Sequence, residues 1–201
     1  MDLGIRGRTA VVCASSQGLG KACARALAEA GVSLVINGRN RELLDQTAEE
    51  IRHATGVDVK AVIAWLRDSG KVPVWLVGTS RGTQSVGYVA TELAGQDGPD
   101  GIVLTSSILR DKGDRAVPAM PLERIRVPVL VVHHEQDGCK ACPFADVPAL
   151  MSKLGAAPRS QLLAFRGGEN QGDPCEAFAH HGYNGLERDV VQQISAWILA
   201  K

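Results

Sequence analysis

The residues Gly78-Thr79-Ser80-Arg81-Gly82 form a G-x-S-x-G motif, a pattern that can present a serine as a nucleophile. The motif follows the apolar segment Val74 to Val77 and precedes a helix-like segment from Thr83 to Leu93. Glycines on both sides of a serine leave room for a strained backbone and for close approach of helix and strand. The order of strand, turn and helix therefore predicts that Ser80 stands on a sharp turn, where it could attack an acyl carbonyl.

Two later segments could supply the partners of such a nucleophile. A valine-rich run leads into His133-His134-Glu135-Gln136-Asp137, and a later loop carries Ala179-His180-His181-Gly182-Tyr183. From about residue 61 to residue 201 the chain resembles the C-terminal part of an α/β-hydrolase, whose triad follows the order Ser, Asp, His. The resemblance implies Asp137 as the acid, with Glu135 as the backup. It implies His181 as the base, because this histidine directly precedes the glycine.

The hydrolase resemblance implies a carboxylesterase-type reaction on small esters. His181 would take the proton from Ser80, and Asp137 would hold the imidazole in the required tautomer. The N–H of Arg81 is one expected oxyanion donor, and a backbone N–H near Ser15 or Ser16 is the second. The region that donates part of the oxyanion hole in an α/β-hydrolase is replaced here by a different sequence, so we expect weak activity.

That different sequence is a glycine loop between an apolar strand and an alanine-rich helix, in the segment Cys13-Ala14-Ser15-Ser16-Gln17-Gly18-Leu19-Gly20. Residues 1–64 resemble the N-terminal part of a short-chain dehydrogenase/reductase, whose T-G-x-x-x-G-x-G fingerprint has Cys13 and Ala14 substituted here. The resemblance implies that Ser15, Ser16, Gly18, Leu19 and Gly20 approach a pyrophosphate at a helix N-terminus. Arg39, after the second strand, is similar to the NADP-preferring pattern, in which a guanidinium meets the 2′-phosphate.

The catalytic motif of that second family does not follow in these 201 residues. Its Tyr-x-x-x-Lys would need a lysine four residues after a tyrosine, but Tyr88 is followed by Glu92 and Tyr183 by Glu187. Without a nearby cation the phenol pKa is not lowered toward a working range, so hydride transfer of this kind is not expected. The glycine loop is then either a retained nucleotide site or only a connector between strand and helix.

Alternating strands and helices predict an α/β fold, a three-layer sandwich around a mainly parallel six-stranded sheet. We expect one domain over residues 1–201, with a Rossmann-like dehydrogenase half over 1–60 and an α/β-hydrolase-like half over 61–201. The expected sheet order begins with the second strand, then the first strand, then the strand before Ser80. The segment Val57–Ser69 fits both a helical and an alternating pattern, and we predict a helix because a strand would leave too short a crossover.

Composition excludes several classes of partner. Lys and Arg together number 22, as do Asp and Glu, so no net charge favours nucleic acid or an acidic membrane surface. No apolar run is long enough to cross a bilayer and the first nine residues form no signal core, so we expect a cytoplasmic protein without membrane contact. A small-molecule ester is the expected substrate, and a homodimer stays open as the assembly. The hydrolase interpretation requires no cofactor, whereas the glycine loop leaves NADP as one that could bind.

The spacing of the five cysteines does not predict a metal site. Cys139 and Cys142 form a C-x-x-C without a second cysteine pair at metal-site spacing, so we expect no metal. A disulfide between Cys139 and Cys175 is one arrangement, although a reducing cytosol would oppose it. The hydrolase branch that the C-terminal tail resembles often bridges the matching cysteines.

Three functions follow, in order of preference. The first is a weak serine hydrolase. The second is an NADP(H)-binding module without dehydrogenase chemistry, and the third is a folded, inactive chimera of the two families.

Overall fold

The computed structural model of the chain describes residues 5–7, 9–12, 15–36, 41–56, 59–61, 72–93, 95, 98–112 and 114–200. The chain divides into two compact units, residues 1–73 and residues 74–201. No helix of the described ranges is long and apolar enough to cross a membrane.

The first unit alternates short strands with amphipathic helices. Its elements are β1 Thr9–Val12, α1 Gly18–Glu29, β2 Ser33–Ile36, α2 Arg41–Thr55 and β3 Val59–Ala61. The three strands are parallel, with β2 between β1 and β3. Helix α1 ends just before Gly31, whose φ of +80° is a conformation that glycine adopts without a steric penalty. Ala24 and Ala28 of α1 pack with Leu34 and Ile36 of β2 in the core of this unit.

The prediction of a helix over Val57–Ser69 is wrong where the structure describes that segment. Val59–Ala61 forms a strand, paired in parallel with Leu34 to Ile36 of β2. This segment forms a strand because one edge of β2 is not paired with β1. Pairing with the segment satisfies the hydrogen-bonding groups on that edge. The remaining residues of the segment, 57, 58 and 62–69, lie outside the described ranges.

The second unit is a four-stranded parallel sheet with helices. Its elements are β4 Trp75–Thr79, α3 Arg81–Glu92, β5 Gly101–Thr105, β6 Val129–His134, α4 Val147–Ser152, β7 Ser160–Phe165 and α5 Glu187–Leu199. The sheet order is β4-β5-β6-β7. The α/β class is confirmed, but the single six-stranded sheet is not. The described strands number seven, in one sheet of three and one of four, because β3 adds a strand that was predicted as helix.

Both faces of the four-stranded sheet are covered by apolar side chains. Ile102 and Leu104 of β5 pack in one cluster with residues of α3 and α4, whereas Val103 packs in the other with residues of α5. Two covered faces are typical of a parallel sheet. In the second cluster Trp75 and Trp197 meet edge to face with 5.7 Å between ring centroids, which fixes α5 against β4. The central strands β5 and β6 are thereby held in a packed core.

Candidate functional site

Ser80 lies at the strand-to-helix turn that the motif predicts. Its backbone has φ +51° and ψ −119°, outside the regions that a serine ordinarily adopts, and its N–H donates to the Thr105 carbonyl at 3.0 Å. A Cβ added at Gly78 would come within 2.6 Å of the Gly82 carbonyl oxygen. Gly78 is therefore required for the close approach of β4 and α3, and the strained turn between them presents a half-buried Ser80.

Asp137 and His181 are brought together, as their order in the chain predicts. The Asp137 Oδ2 atom lies 2.9 Å from Nδ1 of His181, and both side chains are almost fully buried. Because a carboxylate oxygen accepts, the Nδ1 atom of His181 is the donor and Nε2 is left with its lone pair. The other carboxylate oxygen, Oδ1, accepts the backbone N–H of Cys139 at 2.9 Å. One carboxylate thus orients the His181 ring and the start of the Cys139 loop.

The loop of His181 is fixed by contacts that the sequence did not reveal. Ser106 Oγ donates to the His181 carbonyl at 2.7 Å, and the Tyr183 hydroxyl donates to the Val132 carbonyl at 2.8 Å. The same hydroxyl accepts the Ser106 N–H at 3.2 Å. Gly182 has no space for a side chain, because an added Cβ would collide with the backbone of Ala177. Tyr183 is buried, and burial raises the pKa of its phenol, so it serves as a structural clamp.

The contact between serine and histidine is the part of the triad that is not formed. Nε2 of His181 is buried and has no hydrogen-bond partner anywhere in the described ranges, which include Ser80. Glu135, the backup acid, binds Arg166 on the surface, at 2.6 Å from its Nε. The structure therefore joins the predicted acid and base and leaves the predicted nucleophile without a hydrogen bond to them.

The two histidines that end β6 are buried in the second unit. Both rings of His133 and His134 are buried, and desolvation lowers the pKa of each. His134 accepts the N–H of Gln136 at Nδ1 and donates from Nε2 to the Gly167 carbonyl at 3.0 Å. His134 thereby connects the end of β6 to the backbone at Gly167.

The predicted oxyanion donors fall in two different units. Arg81 begins α3, and its guanidinium binds Asp111 at 2.8 Å. Asp111 also accepts from Gln84 at 2.8 Å, and the pKa of this carboxyl is lowered, first by that hydrogen bond. Ser15 and Ser16 belong to the first unit, so their assignment beside Ser80 stays a prediction.

The glycine loop of the first unit is described from Ser15 onward. Ser15 is buried and its Oγ donates to the Val12 carbonyl at 2.8 Å. The Ser16 carbonyl accepts from Thr47 Oγ1 at 3.0 Å. Gly18 has φ +58° and faces open space, and Leu19 is 81% exposed. These contacts fix the base of the loop and leave its glycine-containing tip open.

The start of α1 carries the features of an anion site. The side chain of Gln17, at the N-cap position, makes no capping hydrogen bond, and no acidic residue lies in the first turn. The first N–H groups of a helix have no partner within the helix, and here the positive end of the dipole has no acidic residue beside it in the first turn. Arg39, which the sequence also assigns to this site, lies outside the described residues, as do Cys13 and Ala14, the two substituted positions of the fingerprint.

The cysteines of the second unit form the bridge that the sequence left open. Cys139 and Cys175 are joined by a disulfide, and Cys142 is a free, buried thiol beside it. Burial raises the pKa of the Cys142 thiol to about 12. Only the C-x-x-C spacing could have indicated that Cys142 lies near the bridge.

Comparison with known proteins finds similarity at the N-terminal end. The family model for short chain dehydrogenases matches residues 8–76. An uncharacterized oxidoreductase of Bacillus subtilis is 46% identical over 59 residues, which is 28% of this chain and 22% of that protein. The very-long-chain 3-oxoacyl-CoA reductase of Anas platyrhynchos is 41% identical over 58 residues, covering 29% of this chain and 19% of the reductase. The chain thus spans about a fifth of the length of these curated relatives.

Solved structures give weaker similarities. An L-sorbose reductase from Gluconobacter frateurii, complexed with NADPH and L-sorbose, is 21% identical with a TM-score of 0.32, over 76% of this chain and 63% of the reductase. An esterase domain from a Rhodothermus marinus protein is 16% identical with a TM-score of 0.38, over 80% of this chain and 75% of that domain. Both TM-scores are too low to support an argument about this chain.

The prediction that the chain is a serine hydrolase of the α/β-hydrolase type is wrong. The family model and the curated relatives that match are those of oxidoreductases. A G-x-S-x-G turn followed by an acid and a histidine misled the sequence interpretation, because a fold can retain a constellation of residues without the activity. The dehydrogenase resemblance of the N-terminal end is confirmed: residues 8–76 are similar to short-chain dehydrogenases.

Proposed function

We propose that the first unit binds NADP(H) at the glycine loop, and that these 201 residues do not carry out the hydride transfer that the cofactor supplies in dehydrogenases. The observation that carries the proposal is the N-terminus of α1, which begins at Gly18 with a positive φ and receives no capping hydrogen bond from the Gln17 side chain, within a segment similar to short-chain dehydrogenases. Unpaired N–H groups at a helix start are suited to a pyrophosphate.

The loop residues have two different roles in binding. Ser15 and Ser16 are held by their contacts with Val12 and Thr47, so this part of the loop is positioned before the ligand arrives. Gly18, Leu19 and Gly20 then present the first N–H groups of α1 to the phosphates. Ordering these groups in advance lowers the entropic cost of binding.

Discrimination between NADP(H) and NAD(H) is assigned to Arg39. A guanidinium forms paired hydrogen bonds with a phosphate, whereas NAD(H) presents only a hydroxyl at that position. This assignment depends on the sequence, which has Arg39 after β2, where NAD-preferring dehydrogenases place an acid.

The phenol chemistry of dehydrogenases is not expected from either tyrosine. Tyr183 is buried, with its hydroxyl engaged by Val132 and Ser106. Tyr88 is followed by Glu92 in place of the lysine. In the family's motif the neighbouring lysine brings the phenol into a working range, and neither tyrosine has a lysine at that spacing.

The substitution Leu19→Asp tests the pyrophosphate site without removing a core contact. Leu19 is 81% exposed, and an acid in the first turn stabilises a helix, so the fold should tolerate the change. A new carboxylate beside a pyrophosphate repels it by about 1 kcal/mol per charge pair at 4 Å even in water. We expect isothermal titration to show NADPH binding weakened about fivefold or more, while Leu19→Asn binds as the parent does.

The substitution Arg39→Ala tests the choice of cofactor. The dissociation constant for NADPH should rise to that for NADH, and the constant for NADH should not change. Arg188→Ala, which removes the same charge from an exposed position in α5, is the matched control. If the parent protein shows neither a calorimetric signal nor a rise in melting temperature with millimolar NADPH, the proposal is refuted.

A further inference from the structure

A cluster of sulfur and nitrogen donors is buried behind the carboxyl edge of the second sheet. Cys139, Cys142 and His181 each offer one donor atom, and these three atoms lie within 4.8 Å of one another. Cys175 belongs to the same cluster, because its sulfur is bonded to that of Cys139. The cluster thus contains three sulfurs and one imidazole, the donor set of a Cys₃His zinc site.

The spacing of these atoms is close to what a metal requires. In tetrahedral coordination with Zn–S bonds of about 2.3 Å, two ligand sulfurs stand about 3.8 Å apart. The observed limit of 4.8 Å exceeds this by about 1 Å, which rotations of side chains can close. The separation between Cys139 and Cys142 is the C-x₂-C spacing of structural zinc sites.

The loops that carry the donors are already held in place. The Cys142 N–H donates to the Cys139 carbonyl at 2.9 Å, which closes the turn between the two cysteines. The Ala141 carbonyl between them accepts N–H groups from Leu109 and Arg110 at 2.8 and 2.9 Å. The ligands would therefore lose little conformational freedom when a metal binds.

The hydrogen bonding of His181 leaves one ring nitrogen available to a metal. Asp137 accepts from Nδ1 of His181, so Nε2 carries the free lone pair. Nε2 is buried and finds no hydrogen-bond partner in the part of the chain that the structure describes. A carboxylate behind a ligating histidine is the usual arrangement around zinc, and here the same carboxylate also accepts the Cys139 N–H.

From this geometry we propose that the second unit holds Zn²⁺ through Cys139, Cys142, Cys175 and His181 when the disulfide is reduced, and that the bridged form is the oxidised, metal-free state. A dithiol reductant supplies two electrons and two protons: its sulfur attacks the exposed Cys175 sulfur, the S–S bond breaks, and the reductant leaves as its own disulfide. Zn²⁺ then displaces the protons of the three thiols, and neutral His181 completes the coordination.

The expectation that the chain has no metal site was based on the missing second cysteine pair. A second cysteine pair is not needed, because Cys175 and His181 supply the third and fourth ligands from a separate loop. The proposal is independent of NADP(H) binding, since all four ligands lie in the second unit.

The test uses the full chain, reduced with a phosphine and titrated anaerobically with Co²⁺. We expect one equivalent to give the visible absorption of tetrahedral, thiolate-ligated Co²⁺, and Zn²⁺ to displace it. The oxidised protein should give no such absorption. Failure of the reduced parent to develop this absorption, or equal development in the oxidised parent, overturns the proposal.

Variants separate specific coordination from loose binding to thiols. Cys142→Ser removes one ligand and leaves the bridge intact, and it should weaken binding at least tenfold after reduction. Cys23→Ser removes the exposed cysteine of the first unit and should bind as the parent does. Asp137→Asn should weaken Zn²⁺ affinity roughly 10- to 100-fold, as expected for an outer-shell partner.

The melting temperature provides a second measurement in case a variant folds poorly. Zn²⁺ should raise the melting temperature of the reduced parent and should leave that of the oxidised parent unchanged. Equal responses of Cys142→Ser and Cys23→Ser in both measurements would show adventitious thiol binding and would end the proposal.

Discussion

The substitution Tyr183→Phe should destabilise the second unit by removing one buried hydroxyl. That hydroxyl donates to the Val132 carbonyl at 2.8 Å and accepts the Ser106 N–H at 3.2 Å. The ring remains and still packs edge to face with Phe165, with 6.0 Å between centroids, so no cavity opens. The change therefore isolates the hydrogen bonds that anchor the loop after His181.

The size of the stability loss depends on the hydrogen bond that Ser106 and Val132 keep after the substitution. The Ser106 N–H also donates to the Val132 carbonyl at 3.0 Å, so neither group is left wholly unpaired after the substitution. The two hydrogen bonds that are lost contribute a net 0.5–1.5 kcal/mol each, or about 1–3 kcal/mol together. The bond that Ser106 and Val132 keep with each other reduces this cost. We expect a loss of about 1–2 kcal/mol in the free energy of unfolding.

The assay is urea unfolding followed by the fluorescence of the tryptophans. Tyr88→Phe is the matched control, because Tyr88 is 42% exposed and lies on the surface of α3. Its free energy of unfolding should stay within about 0.5 kcal/mol of the parent value. If Tyr183→Phe unfolds at the same urea concentration as Tyr88→Phe, the hydroxyl does not anchor the loop and the reasoning fails.

Two further predictions concern the strand-to-helix turn and the buried histidine. Gly78→Ala should cost about 1–3 kcal/mol in the free energy of unfolding, because its Cβ would press on the Gly82 carbonyl, whereas Gly155→Ala adds a methyl group in open space and should not destabilise. Urea unfolding of both variants checks this, and equal stability would contradict the close approach. His133 has a lowered pKa, so the unfolded state binds more protons below about pH 6.5 and stability falls as the pH decreases from there, by at most about 1.4 kcal/mol per pH unit. His133→Leu should flatten this part of the stability profile, and an unchanged slope between pH 6.5 and 5 would refute it.

The sequence predicted the elements that have one clear period. The sequence predicts a strand over Gly101–Thr105 and a helix over Glu187–Leu199, because each segment follows one apolar pattern, and β5 and α5 have these bounds. The strand Val59–Ala61 was missed because two periods overlap there, and pairing with β2 decided between them. Such pairing depends on a neighbour far along the chain, which local patterns do not include.

The candidate sites likewise contain contacts that the sequence predicted and contacts that it did not. The order of Asp137 and His181 predicted their contact, since residues that follow neighbouring parallel strands meet at one edge of the sheet. The anchoring by Ser106 and Tyr183 could not be read from spacing, because it depends on a positive φ at both residues and on a buried carbonyl. The similarity of the first unit to dehydrogenases was readable because the glycine loop is contiguous in the sequence.

The pair formed by Asp137 and His181 does not identify a chemistry by itself. A carboxylate that accepts from Nδ1 prepares Nε2 equally well to take a proton or to bind a metal, because both need the same lone pair. What distinguishes the two is the chemistry of the groups around the ring. No hydroxyl in the described ranges hydrogen-bonds to Nε2, whereas two cysteine sulfurs lie within 4.8 Å of a donor nitrogen of the same ring. Zn²⁺ binding that requires both Cys142 and Asp137 would therefore assign the carboxylate to a metal site, and binding that ignores them would leave it as a structural contact.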